Sequence, residues 1–169
     1  MHQEHIISKV FWTMTKIAVF AAGCFWGIEE KFSSISGVIN TEVGYIGGSV
    51  KNPTYEMVCT GNTNHAEAVR LFYDEESISY NELLNIFFDI HNPTTMNRQG
   101  PDFGSQYRSA IFYQDNFQKL SAQNKIKELN KTKFNNKIVT ALEQGGNFWI
   151  AEEYHQKYIK KRRFKLFGE

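Results

Sequence analysis

Hydrophobic residues fall along this chain in two rhythms, and the switches between them mark its elements. Ile17-Ala18-Val19-Phe20-Ala21-Ala22 is unbroken and apolar, the pattern of a strand buried on both faces. Past Gly23, residues Ile28, Phe32 and Ile35 recur at helical spacing, and Ser36-Gly37 marks a stop. Ile39, Thr41, Val43 and Tyr45 then alternate with Asn40, Glu42 and Gly44, as in a half-exposed strand closed by Gly47-Gly48. Pro53 to Cys59 reads as a short helix with proline in its first turn. From Ala66 to Tyr73 a period of two puts Glu67 on one face with Val69, Leu71 and Tyr73. Arg70 falls on the other face with Ala66, Ala68 and Phe72. Ser79-x-x-Glu82 is a capping box, and Leu83, Ile86, Phe87 and Ile90 follow at helical spacing. A polar stretch from Thr94 to Gln106 is longer than a connection needs, which points to function. Ser109 to Tyr113 predicts a strand, Asp115 caps a helix to about Lys131, and Lys137 to Leu142 predicts a last strand. Gly145-Gly146 breaks the chain before a helix from about Ala151 to Lys161.

Strands and helices interleave without repeats, linkers or low-complexity segments. The expected fold is α/β (α+β): a single domain with a mixed sheet covered by helices. Composition agrees, since 169 residues with 41% hydrophobic content can bury a sizeable core. The charge is nearly balanced, 19 Lys and Arg against 18 Asp and Glu, which gives no whole-molecule field for nucleic acid or a membrane. Six of the nine residues from Lys157 to Lys165 are basic, which reads as a solvated tail. Two cysteines, Cys24 and Cys59, exclude a disulfide framework of the small secreted kind. With no Cys-x-x-Cys and scattered histidines, no metal site is expected. Lys16 interrupts the early apolar residues and no run reaches the length of a membrane span. A cytoplasmic location is therefore expected, with residues 1–15 as a flexible extension and 16–169 as the catalytic domain.

The candidate chemistry centres on Gly23-Cys24-Phe25-Trp26-Gly27. A cysteine at a glycine-hinged strand-to-helix turn meets helical N–H groups and the positive end of the helix dipole, which favour the thiolate. Glu67 shares its strand face with large, partly apolar side chains; if that face is buried, desolvation holds the carboxyl protonated. His65 offers a Cys–His pair for a hydrolase, and Ala21-Ala22-Gly23-Cys24 faintly resembles a lipoprotein cleavage box. Both readings leave the loop residues unused.

Taken together the segments resemble the A-type peptide methionine sulfoxide reductases, which act on the S epimer. The matching runs are Gly23 to Gly27, Gly44-Tyr45-Ile46-Gly47-Gly48, Asn52-Pro53-Thr54-Tyr55 and His65-Ala66-Glu67-Ala68-Val69. Asn97-Arg98-Gln99-Gly100-Pro101-Asp102 and Gln106-Tyr107-Arg108-Ser109-Ala110 complete the order, over about Lys16 to Tyr158. The resemblance implies a two-layer sandwich of ferredoxin-like type and repair of oxidised methionine, protein-bound and free. It implies Cys24 as nucleophile, Phe25 and Trp26 as the pocket for the S-methyl group, and Glu67 as acid. Tyr55 and Tyr107 would be further hydrogen-bond donors, and Asp102 would hold substrate or water. No metal or organic cofactor is implied. Asn64 stands where the family usually has glycine, a mild change because Asn tolerates positive φ. Many relatives carry resolving cysteines in a C-terminal tail, whereas here no cysteine follows Tyr158. The expected partner is therefore an external thiol, thioredoxin or glutathione with glutaredoxin, acting on a monomer.

Overall fold

The apolar run at the start of the domain becomes strand β1 (Thr15–Ala22), and the rest of the sheet is assembled on its two edges. The computed structural model describes residues 15–168. Most of the expected flexible extension, residues 1–14, lies outside them. Helix α1 (Phe25–Ser33) follows, then β2 (Val38–Ile46), the short helix α2 (Tyr55–Cys59) and β3 (Ala66–Asp74). Helix α3 (Tyr80–Asp89) leads to a small hairpin of β4 (Arg98–Gln99) and β5 (Asp102–Phe103), a 3-10 turn (Ser105–Tyr107) and β6 (Ser109–Tyr113). Helix α4 (Asn116–Thr132), β7 (Ala141–Gln144), β8 (Trp149–Ile150), a 3-10 turn (Glu153–His155) and α5 (Tyr158–Phe167) close the described chain.

The six-stranded sheet runs β7-β6-β1-β3-β2-β8, and only the β6–β7 pair is parallel. Strand β3 lies between β1 and β2 and antiparallel to both, while β6 flanks β1. This is the split βαβ arrangement of the ferredoxin-like sandwich, with β7 and β8 added at the edges. The parallel β6–β7 pair needs a crossover, which α4 supplies.

From Ala18 to Ala22 both faces of β1 are buried, as the apolar pattern predicts, while Ile17 at the head of the run is exposed. Ala18, Phe20 and Ala22 join the main core with Phe32, Leu83, Phe87, Ile111 and Ala122, while Val19 and Ala21 join a smaller cluster with Ile46, Ala68 and Phe112. Phe20 stacks on Phe32, Tyr80 and Phe87 at centroid separations of 5.5, 6.0 and 5.0 Å. The capping box closes in both directions: Glu82 N–H donates to Ser79 Oγ and Ser79 N–H to the Glu82 carboxylate.

Several expected boundaries differ, each for a hydrogen-bonding reason. Thr54 is the N-cap of α2, accepting from Met57 N–H, so Pro53 precedes the helix and does not open it. The strand expected from Lys137 begins at Ala141. Ile138 N–H is taken by the Asn130 side chain and Val139 N–H by the Pro93 carbonyl, so neither reaches the ladder. The polar loop contains the β4–β5 hairpin, and β8 was not foreseen. The helix expected from Ala151 to Lys161 is instead a strap, Ala151 to Lys157. Lys157 takes φ 52°, and regular helix starts only at Tyr158.

That strap is held by side chains a solvated helix would leave in water. Gln156 grips the Val43 backbone on both sides, its Oε1 accepting from the N–H and its Nε2 donating to the carbonyl, each at 2.9 Å. Glu29, buried at 2% exposure, accepts from Thr41 Oγ1, Lys157 N–H and Lys157 Nζ at 2.8, 2.7 and 3.2 Å. A buried carboxylate so paired tolerates loss of its partners poorly, because either charge left alone is uncompensated.

Candidate active site

The sheet register brings the two candidate catalytic groups to one end of the fold. Phe20 pairs with Val69 across β1 and β3, so two residues further on Ala22 stands opposite Glu67, and Cys24 follows just past the strand end. Tyr45 at the end of β2 pairs directly with Glu67, and Ala22 with Ser109, placing Tyr107 at the same end. Gly23 makes the turn possible: its φ is +96°, and a Cβ there would come within 2.7 Å of Gln99 on the hairpin. Cys24 is the N-cap of α1 and is half-buried.

Glu67 is 1% exposed. Phe25 N–H donates to its Oε1 at 3.2 Å, while its Oε2 has no partner although it is buried. Burial pushes its carboxyl up to about 7, the Asp102 carboxylate adds to the rise, and the Phe25 N–H opposes it. The alternation in β3 therefore located a carboxyl that holds its proton near neutrality.

The expectation for Cys24 is only half met. The N–H groups of Trp26 and Gly27 do lie toward its sulfur and lower its pKa, though neither closes a cap hydrogen bond. Burial outweighs them, and with the negative charges of Glu67 and Asp102 it pushes the thiol up to about 11. At rest Cys24 is a thiol, not a thiolate. A helix start supplies fractional charge within one turn, whereas desolvation and two carboxylates act together against the anion.

The remaining predicted residues converge here. Tyr107 senses Glu67, Asp102 and Cys24, and burial pushes its hydroxyl up to about 12. Tyr55 is raised by burial first, then by Cys59 beside it, and by Glu67 and Tyr107. Both phenols are proton donors throughout the neutral range. Asp102, in β5, is half-buried. Phe25 is 1% exposed, its ring 5.9 Å from Tyr45 and 5.2 Å from His155. Trp26 is partly exposed beside it.

This arrangement can be set against known proteins. The family model described as "Peptide methionine sulfoxide reductase" matches residues 16–166. The chain belongs to the peptide methionine sulfoxide reductase family. Peptide methionine sulfoxide reductase MsrA of Pelagibacter ubique (strain HTCC1062) is 56% identical over 147 residues, covering 87% of this chain and 99% of that protein. Mxr1 from Saccharomyces cerevisiae in reduced form superposes with a TM-score of 0.84 at 37% identity, covering 88% of this chain and 86% of the other. Mxr1 in complex with Trx2 gives 0.63 at 28% identity, covering 86% of each chain.

In this reductase the two rival uses of the cysteine region fail on geometry. His65 accepts from Gly48 N–H at Nδ1 and meets the Val50 carbonyl at Nε2, 3.0 and 2.7 Å away, so both ring nitrogens are engaged in the β2–β3 connection. Cleavage before Cys24, as in a lipoprotein, would remove β1 from the middle of the sheet. Asn64 takes φ 60°, the conformation its replacement of glycine requires. Among the described residues no helix is long and apolar enough to cross a membrane.

Sequence reasoning missed the strap. Glu152 accepts from the Tyr45 hydroxyl at 2.9 Å and from Tyr55 N–H at 3.0 Å, tying the end of β2 to the start of α2. His155 accepts from Trp26 Nε1 at 2.9 Å. No local pattern could have found them: Glu-Glu-Tyr-His-Gln has the polarity of an exposed helix turn, and each partner lies about 100 residues or more away.

Proposed function

We propose that this chain reduces methionine sulfoxide to methionine, favouring the S epimer, with Cys24 as nucleophile and Glu67 as proton donor. One observation carries the reading: a buried carboxyl that holds its proton to about pH 7, with its second oxygen unpartnered, sits beside a thiol at the head of a helix. A sulfoxide oxygen needs such an acid, because attack at sulfur builds negative charge on oxygen.

In the step as we write it, the sulfoxide oxygen takes the Glu67 proton and its sulfur becomes electrophilic. Cys24 sulfur bonds to it while the thiol proton returns to the Glu67 carboxylate. The hydroxyl oxygen then passes to Cys24 as the old S–O bond and the new bond between the two sulfurs both break, giving methionine and a Cys24 sulfenic acid. Two electrons leave the cysteine sulfur and two reach the substrate sulfur. The raised thiol pKa fits this order, since substrate protonation draws the thiol proton off at the moment of attack. Tyr55 and Tyr107 donate further hydrogen bonds to the oxygen, Asp102 orders substrate or water, and Phe25 with Trp26 receives the methyl group. The step needs no metal or organic cofactor.

Regeneration uses an external dithiol or glutathione with glutaredoxin. One thiol condenses with the sulfenic acid and releases water, and a second thiol frees Cys24 and leaves as a disulfide. The Mxr1–Trx2 assembly supports a thioredoxin-like donor, and a reducing compartment such as the cytoplasm supplies one. Single-turnover release of methionine from the separated S and R sulfoxides tests the proposal, with Cys24→Ser alongside. We expect release from the S form only and none in the variant. Equal rates on both epimers, or activity surviving in Cys24→Ser, would overturn it.

A further inference from the structure

His155 has no place in the chemistry above, yet it is 0% exposed and packs against the rings of Phe25, Trp26, Tyr55 and Tyr154. Its imidazole lies 5.2 Å from Phe25, 4.4 Å from Tyr55 and 4.0 Å from Tyr154, centre to centre. Its Nδ1 accepts the Trp26 indole N–H at 2.9 Å. Indole N–H donates only, so this bond requires a neutral imidazole with its proton on Nε2, a nitrogen that is buried and has no partner. Trp26 is also stacked on Tyr158, with ring centres 3.9 Å apart and planes 10° from parallel. Stacking fixes the indole plane but lets the ring slide within it. The hydrogen bond stops the slide, because it is directional and fails when the N–H turns away.

We propose that His155 is a positioning residue: by accepting the indole N–H it fixes Trp26 in place and thereby sets the size of the group the pocket admits beside Cys24. The proposal rests on reading Trp26 as part of the methyl pocket. A ring free to slide would admit a larger alkyl group and grip a methyl group less.

The test compares kcat/KM for the S sulfoxides of methionine and ethionine in wild type, His155→Phe, His155→Asn, Trp26→Phe and the His155→Phe/Trp26→Phe double variant. Phenylalanine keeps the ring packing and removes the acceptor; asparagine removes the ring and puts an amide oxygen where Nδ1 was. We expect His155→Phe to lower kcat/KM for methionine sulfoxide about tenfold, mostly through KM, and to shrink the methyl-over-ethyl preference. His155→Asn restores most of that preference, and His155→Phe adds less than about twofold in the Trp26→Phe background. A second readout is independent of turnover. The Trp26 indole proton, assigned by its absence in Trp26→Phe, exchanges with solvent deuterium at least about tenfold faster in His155→Phe.

An unchanged methyl preference in His155→Phe, or an equal loss in both backgrounds, overturns the positioning role while leaving the pocket reading intact. An unchanged preference in Trp26→Phe overturns the pocket reading itself, and this proposal with it. If His155→Asn loses too much ring packing to fold, the double-variant cycle and the exchange rate still decide.

Discussion

The two thiols of this chain both feel the Glu67 carboxyl, and their turns are built in opposite ways. Cys24 heads α1 between a strand buried on both faces and two aromatic residues, half-buried, with Glu67 and Asp102 acting on it. Cys59 ends the five-residue helix α2, exposed, with the Tyr55 hydroxyl beside it and Glu67 acting from further off. Both thiols are raised above the ordinary cysteine value, chiefly by burial. Readiness to ionise therefore does not favour Cys24. What separates them is a proton donor: Glu67 bonds through Oε1 to the residue after Cys24 and leaves Oε2 open. In the proposed reaction the acid singles out the nucleophile more than the thiol's own acidity does.

The largest effect that would sharpen this contrast is at Cys24. Cys24→Ser should lower methionine release by on the order of ten-thousandfold or more, because no second group does its work. Glu67→Gln comes next, with a loss of about a hundredfold in the single-turnover rate. Its pH profile is the finer test. The wild-type rate should be flat below pH 7 and decline above it as Glu67 loses its proton, and the variant should lack that decline. Stability runs the same way. Between the ordinary value of 4.5 and about 7, folded Glu67 keeps a proton that the unfolded chain has lost, so stability falls as pH rises through that window. Glu67→Gln should therefore be more stable than wild type at pH 8, by up to about 3 kcal/mol, in urea titrations at pH 4 and pH 8. A stability difference between variant and wild type that is the same at pH 4 and pH 8 would show that burial does not raise this carboxyl.

The third change bears on the strap that closes the wall behind Trp26. Glu29→Ala leaves Lys157 and Thr41 without their shared partner and should cost about 3 kcal/mol, a fall of about 10 °C in Tm. The smallest expected effect is at the other thiol. Cys59→Ser should alter turnover with thioredoxin by no more than about twofold. If it abolished turnover while single-turnover release survived, Cys59 would be the resolving thiol and the contrast between the two turns would be one of sequence in the cycle.

Much of this was legible along the chain because the relevant forces are local or periodic. The run Ile17 to Ala22 contains no polar residue, which suits a strand buried on both faces, and from Ala18 onward it is one. Alternation placed Glu67 on the face of β3 with Val69, Leu71 and Tyr73, and the packing over that face leaves it 1% exposed. The capping box at Ser79 closes between residues three apart, so the sequence contains both halves of it. The strap was illegible for the opposite reason. Glu152, His155, Gln156 and Lys157 look like solvated helix residues, and their partners Tyr45, Trp26, Val43 and Glu29 lie far away in the chain. Lys137 to Thr140 failed likewise: their pattern suits a strand, but Asn130 and Pro93 claim the backbone donors at Ile138 and Val139.

Sequence by itself determined the order of the longer elements, a single domain of mixed sheet and helices, and which residue types could do the chemistry, because hydrophobic period and cap chemistry act over a few residues. Tertiary structure alone decided the state of those groups. It buried Cys24 enough to make it a resting thiol against the pull of its helix, and it left one oxygen of Glu67 unpartnered. It also drew a C-terminal histidine across the molecule to hold Trp26. Desolvation and long-range hydrogen bonds depend on what the whole fold packs around a group, and no window of sequence contains that.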